Sequence, residues 1–139
     1  MRILGQEDSS WALNEMGTVK LGDERLNRRV VQVLEQLGDK PTPSITKACK
    51  GWAETLAAYR FFDNDKVTME KVLAAHEKAT VARIGQHPVV LCIEDTTEVD
   101  YSDKKETKGL GPLTQKARHG LLLHPTLAVT PDRVPLGCL

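Results

Sequence analysis

The chain has 139 residues, of which 40% are hydrophobic and 4% aromatic, and 19 basic residues balance 19 acidic ones. This length suits one domain, or one small domain with part of another, and there is no apolar run of about 18 residues that would predict a membrane span. The three cysteines lack CxxC spacing, which argues against a disulfide framework and against a zinc site. Because residues 1–8 also lack an apolar signal core, we expect a cytoplasmic protein.

The charges are distributed unevenly along the chain. Residues 20–60 carry a net charge of +3, residues 61–100 carry −4, and residues 101–139 carry +3. Two basic segments around an acidic one could form a cationic surface beside an anionic site. Mixed, solvated surfaces explain the same charges equally well.

The first part of the chain predicts two helices. Ser9 and Ser10 would cap a short helix that ends at Gly17, with Trp11 as a core residue. Asp23 is the candidate N-cap of a second, longer helix. The apolar residues of this second helix recur at spacings of three and four, as expected for one buried stripe: Leu26, Val30, Val33, Leu34 and Leu37.

Arg25, Arg28 and Arg29 lie off this stripe, on the solvent side of the second helix. Arginines that are grouped in the first turns of an exposed helix suit contacts to phosphate. A solvated basic face without a ligand is the alternative, and helical spacing alone does not decide between the two.

Two further helices are predicted on either side of Gly51. A short helix or turn before it exposes Lys47 and Lys50, and a longer helix over residues 52–62 follows. In outline this pair resembles a helix-turn-helix. On the longer helix, Arg60 lies on a different face from the residues predicted to be core: Trp52, Leu56, Tyr59 and Phe61 or Phe62.

The second half of the chain predicts one more helix, over residues 69–84, and then strands. Residues 89–93 are apolar and rich in β-branched side chains, which predicts a strand buried on both faces, and Glu94 and Asp95 follow it. Side chains alternate along a strand, so only one of these two acids can join a given site. We interpret Asp95 as a ligand for a hard cation such as Mg²⁺, and a solvated strand end is the alternative.

The rest of the chain predicts two more strands and a loop. Residues 98–101 could continue the first strand, and residues 102–119 form a basic loop. Residues 120–130 form a second strand, and residues 134–139 begin a third. An open sheet of this kind should have exposed edges, so we expect marginal stability or self-association.

Four short motifs carry a resemblance by their order and spacing along the chain. They are residues 21–25 (LGDER), 57–64 (AAYRFFDN), 93–97 (IEDTT) and 120–124 (GLLLH). Together they resemble the N-terminal part of bacterial DDE cut-and-paste transposases of the insertion-sequence-four type, relatives of the transposon-five transposase. The resemblance implies an α+β fold in two parts. Residues 1–65 would form a helical domain that binds transposon ends as double-stranded DNA, and residues 66–139 a connecting helix and the first three strands of a ribonuclease-H-like domain.

The resemblance also assigns roles to single residues. It implies that Asp95 is the first of three catalytic carboxylates, which together hold Mg²⁺ or Mn²⁺ in the full-length family. It implies DNA contacts from Arg25, Arg29 and Arg60, with Lys47 as a further candidate. Arg28 and Lys50 join this set because of their predicted exposure.

The other two carboxylates and most of the family's dimerisation elements lie beyond the matched part. One carboxylate cannot fix two metal ions, so we expect a truncated transposase that binds DNA, holds metal weakly or not at all, and does not cleave. Two alternatives remain open. The chain could be a non-catalytic DNA-binding regulator that uses its helical part alone, or a nuclease-type enzyme that another chain completes.

Overall fold

The computed structural model describes residues 10–104 and 106–139. Residues 1–8, which are predicted to lack a secretory signal, and the predicted helix cap Ser9 lie outside the described residues. Over these described residues the fold is α+β, with five helices followed by two small antiparallel sheets of three strands each. The elements are α1 Trp11–Met16, α2 Glu24–Asp39, α3 Ile45–Ala48, α4 Trp52–Phe62, α5 Met69–Ile84, β1 Leu91–Glu94, β2 Thr97–Asp100, β3 Gly111–Pro112, β4 His119–Leu123, β5 Thr126–Val129 and β6 Pro135–Cys138.

The described chain divides into two compact units, of which the first ends at Ala82 and the second is Arg83–Leu139. The domain boundary expected after residue 65 stays a prediction. Within the described ranges, no helix is long and apolar enough to cross a membrane.

The first unit is built around α2, which begins as predicted. The Asp23 side chain accepts a hydrogen bond from the Arg25 backbone N–H at 2.8 Å and so satisfies one of the free donors of the first turn. The predicted apolar stripe of α2 faces the core, where Leu26, Leu34 and Leu37 pack against a buried cluster. The buried members of that cluster are Met16, Val19, Leu21, Val30, Val33, Cys49, Ala58, Phe61 and Ala75.

The predicted burial of Trp11, Trp52 and Tyr59 is wrong, whereas Phe61, one of the two phenylalanines offered as core, is buried. Trp11 is 51% exposed, and its indole lies against Gly38 of α2, where a Cβ atom would be only 2.5 Å from the ring. Trp52 is 76% exposed and Tyr59 is 49% exposed. Apolar residues occur on two faces of α4, one with Trp52 and Tyr59 and one with Ala58 and Phe61. The helix packs through the second face, which has the small Ala58 at its centre. The residues buried on α4 are Thr55, Ala58 and Phe61.

α5 has the predicted bounds. The Thr68 hydroxyl accepts a hydrogen bond from the Lys71 N–H at 3.4 Å, in the position of a cap. The buried residues of α5 are Ala75 and Thr80. Of its other apolar residues, Val72 is half-buried and packs against the core cluster, whereas Leu73 and Val81 are exposed.

The second unit contains one long hairpin that is shared between its two sheets. The strand orders are β1-β5-β6 and β2-β4-β3. Leu91 pairs with Val129 at one end and Asp100 pairs with Gly120 at the other, and every pair between them keeps the same register. The predicted continuation of the first strand is therefore present as β2, and residues 120–130 form two strands rather than one.

Pro125 explains why this long hairpin is interrupted. It lies between β4 and β5, each of which is the central strand of its sheet. Proline has no backbone N–H to donate to a ladder and is disfavoured at central positions. Backbone pairing is therefore interrupted at residues 95–96 and 124–125. The hairpin is divided into the pairs β1–β5 and β2–β4, although the register is the same on both sides of the break.

The prediction that β1 is buried on both faces is wrong. All four of its residues are exposed, with Leu91 at 48% and Ile93 at 50%. β1 lies at the edge of its sheet, and the buried side chains belong to the two strands beyond it or follow them. These are Ala128, Val129, Thr130 and Leu136. An apolar run alone does not distinguish an edge strand from a central one.

Candidate nucleic-acid interface and the Asp95 junction

A groove of about 440 Å³ lies between α2 and α4. Arg25 and Arg29 line it from α2, because residues four apart lie on the same side of a helix, and Arg60 lines it from the last turn of α4. Among the described residues, no acidic side chain lines this groove. The other lining residues are apolar, small or neutral: Leu26, Ala53, Leu56, Ala57, Phe61 and Asn64.

The chemistry of this arginine groove suits an extended anion. A guanidinium group presents a rigid fork of donors that matches phosphate, and it stays charged at all relevant pH values. Three such groups from two helices can meet more than one phosphate of a backbone, whereas a single helix would present a single row. The structure therefore brings together the three arginines that the resemblance singled out.

Asp23 does not line this groove but forms an ion pair with Arg25, which does. Its Oδ2 lies 3.1 Å from Arg25 Nη2, and its Oδ1 lies 3.3 Å from Arg25 Nε. The Arg25 guanidinium, followed by the Arg25 backbone N–H, holds the pKa of the Asp23 carboxyl below its ordinary value, and the same contact raises the pKa of Arg25. The Arg25 side chain is 83% exposed, so water screens this ion pair. Asp23 thus orients Arg25 without removing it from solvent.

Lys50 lies outside the arginine groove. It lines a different groove, of about 630 Å³, together with Arg29. The lining of that groove has mixed charge, because it also includes three acids: Glu35, Asp39 and Glu54.

Arg28 and Lys47 also lie apart from the arginine groove. Arg28 is exposed on another side of α2, in a groove with Lys20 and Lys78. Lys47 is exposed on α3, and its carbonyl accepts a hydrogen bond from Lys40 Nζ at 3.4 Å. Of the six predicted DNA contacts, the structure gathers Arg25, Arg29 and Arg60 in one place and separates the other three. Contact with DNA stays a prediction for each of them.

Asp95 lies at the interruption of the long hairpin, between β1 and β2. It is exposed, and its Oδ1 accepts a hydrogen bond from the Thr96 N–H at 2.8 Å. By strand alternation it shares a face with exposed apolar side chains, among them Ile93 and Leu123. Glu94 and Thr96 point to the other face.

The opposite face of the junction carries a polar cluster. Thr96 Oγ1 lies 2.6 Å from His124 Nδ1, and the Thr126 hydroxyl donates to Glu94 Oε1 at 3.2 Å. His124 Nε2 lies 3.8 Å from Glu94 Oε2. These four side chains connect the two strands at the point where the ladder is interrupted. Sequence reasoning missed this cluster, and Pro125 inside a predicted strand was the signal that could have located it.

A site for a divalent cation would need more than the Asp95 carboxylate. Hard cations take six or more oxygen ligands, and Mg²⁺ in proteins usually has one or two carboxylates with water and phosphate oxygens as the rest. In the part of the chain that the structure describes, no group of three or more His, Cys, Asp or Glu side chains is placed to hold a metal. Asp95 is accessible and could supply one such ligand.

Residues 8–67 match the model of the family described as transposase DNA-binding. The matched segment contains α1 to α4 and all three arginines of the groove. The helical region of this chain is therefore similar to transposase DNA-binding domains, and the match supports a DNA-binding part of a transposase.

Proposed function

We propose that this chain binds the ends of a mobile DNA element as double-stranded DNA, in the manner of a transposase of the insertion-sequence-four type. The groove lined by Arg25, Arg29 and Arg60 would hold the phosphate backbone. The observation that carries this proposal is the convergence of three arginines from α2 and α4 on one groove, with no acidic lining residue among those described. The family match over residues 8–67 supports the same assignment.

The proposal extends to the second unit, where Asp95 would be the first carboxylate of a ribonuclease-H-like catalytic site. With Mg²⁺ or Mn²⁺ bound by a complete set of three carboxylates, such a site activates an oxygen nucleophile for attack on a phosphodiester. A single carboxylate does not hold two ions. We therefore propose that the chain by itself, in the cytoplasm, binds DNA without cleaving or joining it.

A non-catalytic DNA-binding regulator is the second candidate. All six predicted DNA contacts lie in the first compact unit, so this role would not need Asp95. The two candidates differ in sequence specificity: a transposase part should prefer the ends of its own element, whereas a regulator that binds elsewhere should not.

A binding experiment separates these candidates. Short fluorescent duplexes from the DNA that flanks the reading frame are compared by anisotropy with shuffled duplexes of the same composition. We expect tighter binding to at least one flanking duplex and no nicking in Mg²⁺ or Mn²⁺. Equal affinity for all duplexes would contradict end recognition. Metal-dependent nicking that disappears in Asp95→Ala would contradict the proposed inactivity, and Asp95→Asn should leave DNA binding unchanged.

A further inference from the structure

A second cationic groove, of about 650 Å³, lies on another side of α2 from the arginine groove. Arg28 of α2, Lys20 from the preceding loop and Lys78 of α5 line it, and all three side chains are exposed. Three separate segments of the first unit therefore contribute positive charge to one groove. Neither the family match nor the resemblance assigns Lys20 or Lys78 a role.

The lining of this second cationic groove is positive overall. Glu24 is the acid among its described lining residues, and its carboxylate accepts a hydrogen bond from Asn27 Nδ2 at 3.1 Å. Thr18 lines the groove as well, and its exposed hydroxyl is a neutral donor of the kind that contacts phosphate oxygens. One acid against three cations leaves a site that attracts anions.

The two cationic grooves flank the N-terminal half of α2. Arg25 and Arg29 face one of them, and Arg28 faces the other. Arg28 and Gln32 line the second cationic groove and are exposed, so this side of α2 is accessible to a ligand. A helix with its side chains is about 10–12 Å across, and the major groove of B-DNA is about 12 Å wide. A helix with cations on both flanks therefore matches the space between the two phosphate backbones that border a major groove.

We propose that Lys20, Arg28 and Lys78 form a second phosphate-binding site, which holds the strand opposite the one held by the arginine groove in the same duplex. This inference rests on the proposed DNA-binding function. It adds a second set of contacts and places α2 between the two strands.

Lys20→Gln/Lys78→Gln in the full chain tests this second site. The control is Lys40→Gln/Lys71→Gln, which removes the same charge from residues that line neither cationic groove. Affinity for a random-sequence fluorescent duplex is measured over a range of salt concentrations. Each phosphate contact contributes about 0.9 to the slope of log affinity against log salt, so the test variant should lose about 1.8 and the control almost nothing. Circular dichroism checks that both variants are folded.

Glu24→Gln gives an independent readout in the opposite direction. It removes the acid of the second cationic groove and should tighten binding about two- to threefold, as expected for one charge at roughly 8 Å in water. A substitution that merely damaged the fold would weaken binding instead.

Titration of the wild-type chain with the same duplex distinguishes one duplex from two. We expect one duplex per chain. An unchanged slope in Lys20→Gln/Lys78→Gln would overturn the second site, and two duplexes per chain would overturn its assignment to the opposite strand. If the wild-type chain bound no duplex at all, the proposed function would fail together with this inference. If the wild-type chain bound the duplex and Lys20→Gln/Lys78→Gln had the same salt slope as the control variant, only this inference would fail.

Discussion

Thr96 and His124 face each other across the interruption of the long hairpin, with Thr96 Oγ1 2.6 Å from His124 Nδ1. The backbone ladder stops here, since Pro125 cannot donate a hydrogen bond. A side-chain contact therefore connects the strands beside Asp95, where backbone pairing does not.

Thr96→Val should weaken the hairpin on both sides of Asp95, because it removes the hydroxyl but keeps the shape and strand preference of the residue. We expect a loss of about 0.5–1.5 kcal/mol in the second unit, the usual net contribution of one hydrogen bond. Amide hydrogen exchange over residues 91–100 measures it. Tryptophan fluorescence would not, because Trp11 and Trp52, the two tryptophans, both lie in the first unit.

Thr97→Val is the matched control for this prediction. Thr97 is also exposed, but it lies in β2 and points to the opposite face. We expect unchanged or slower exchange in this control. Equal losses in Thr96→Val and Thr97→Val would show that the Thr96–His124 contact contributes nothing.

Substitutions at Asp23 should separate its two roles, as the cap of α2 and as the partner of Arg25. Asp23→Ser keeps a capping oxygen but removes the charge, so the melting temperature of the helices should stay close to that of the wild type while duplex binding tightens about two- to fivefold. Asp23→Ala loses the cap and should lower the melting temperature as well. Equal melting temperatures for the two variants would contradict the capping role.

The second unit should lose stability in acid. The Thr114 hydroxyl, followed by the Thr114 N–H at 2.8 Å, holds the pKa of Glu98 below its ordinary value. Ser102 does the same for Asp100 through its hydroxyl and N–H. Both carboxyls therefore bind protons more readily in the unfolded chain. Their stabilisation is fully present above the ordinary carboxyl pKa values, 4.5 for Glu98 and 3.8 for Asp100, and is lost as pH falls through the lower pKa values of the folded state.

Glu98→Gln tests this pH dependence. The substitution should make the unit less stable at neutral pH and reduce the further loss on acidification, as measured by amide exchange in β2 and β4 at several pH values. If the wild type and Glu98→Gln lost the same stability between pH 7 and pH 3, the Glu98–Thr114 contact would not be responsible.

Local signals were sufficient to predict α2 and α5. Asp23 and Thr68 precede regular apolar spacing, and each of them accepts a hydrogen bond from the first turn of its helix. Sequence spacing could also place Arg25 and Arg29 on one side of α2. It could not bring Arg60 to them, because that contact depends on how α4 packs against α2.

The wrong predictions of burial have a common physical origin. The exposure of Trp52 and of β1 depends on which face of an element meets the rest of the fold, and hydrophobicity alone does not carry that information. The interruption at Pro125 was different, because a proline inside a predicted strand is a readable signal. It divides the hairpin beside Asp95 and so defines the surroundings of the predicted ligand.

The most direct test of the arginine groove is the salt dependence of duplex binding in Arg25→Gln/Arg29→Gln/Arg60→Gln. The control is Lys40→Gln/Lys71→Gln/Arg133→Gln, with the same change in charge at residues that do not line the groove. We predict that the slope of log affinity against log salt falls by about 2.7 in the groove variant and stays near the wild-type value in the control. Equal slopes in the two folded variants would contradict DNA binding in this groove.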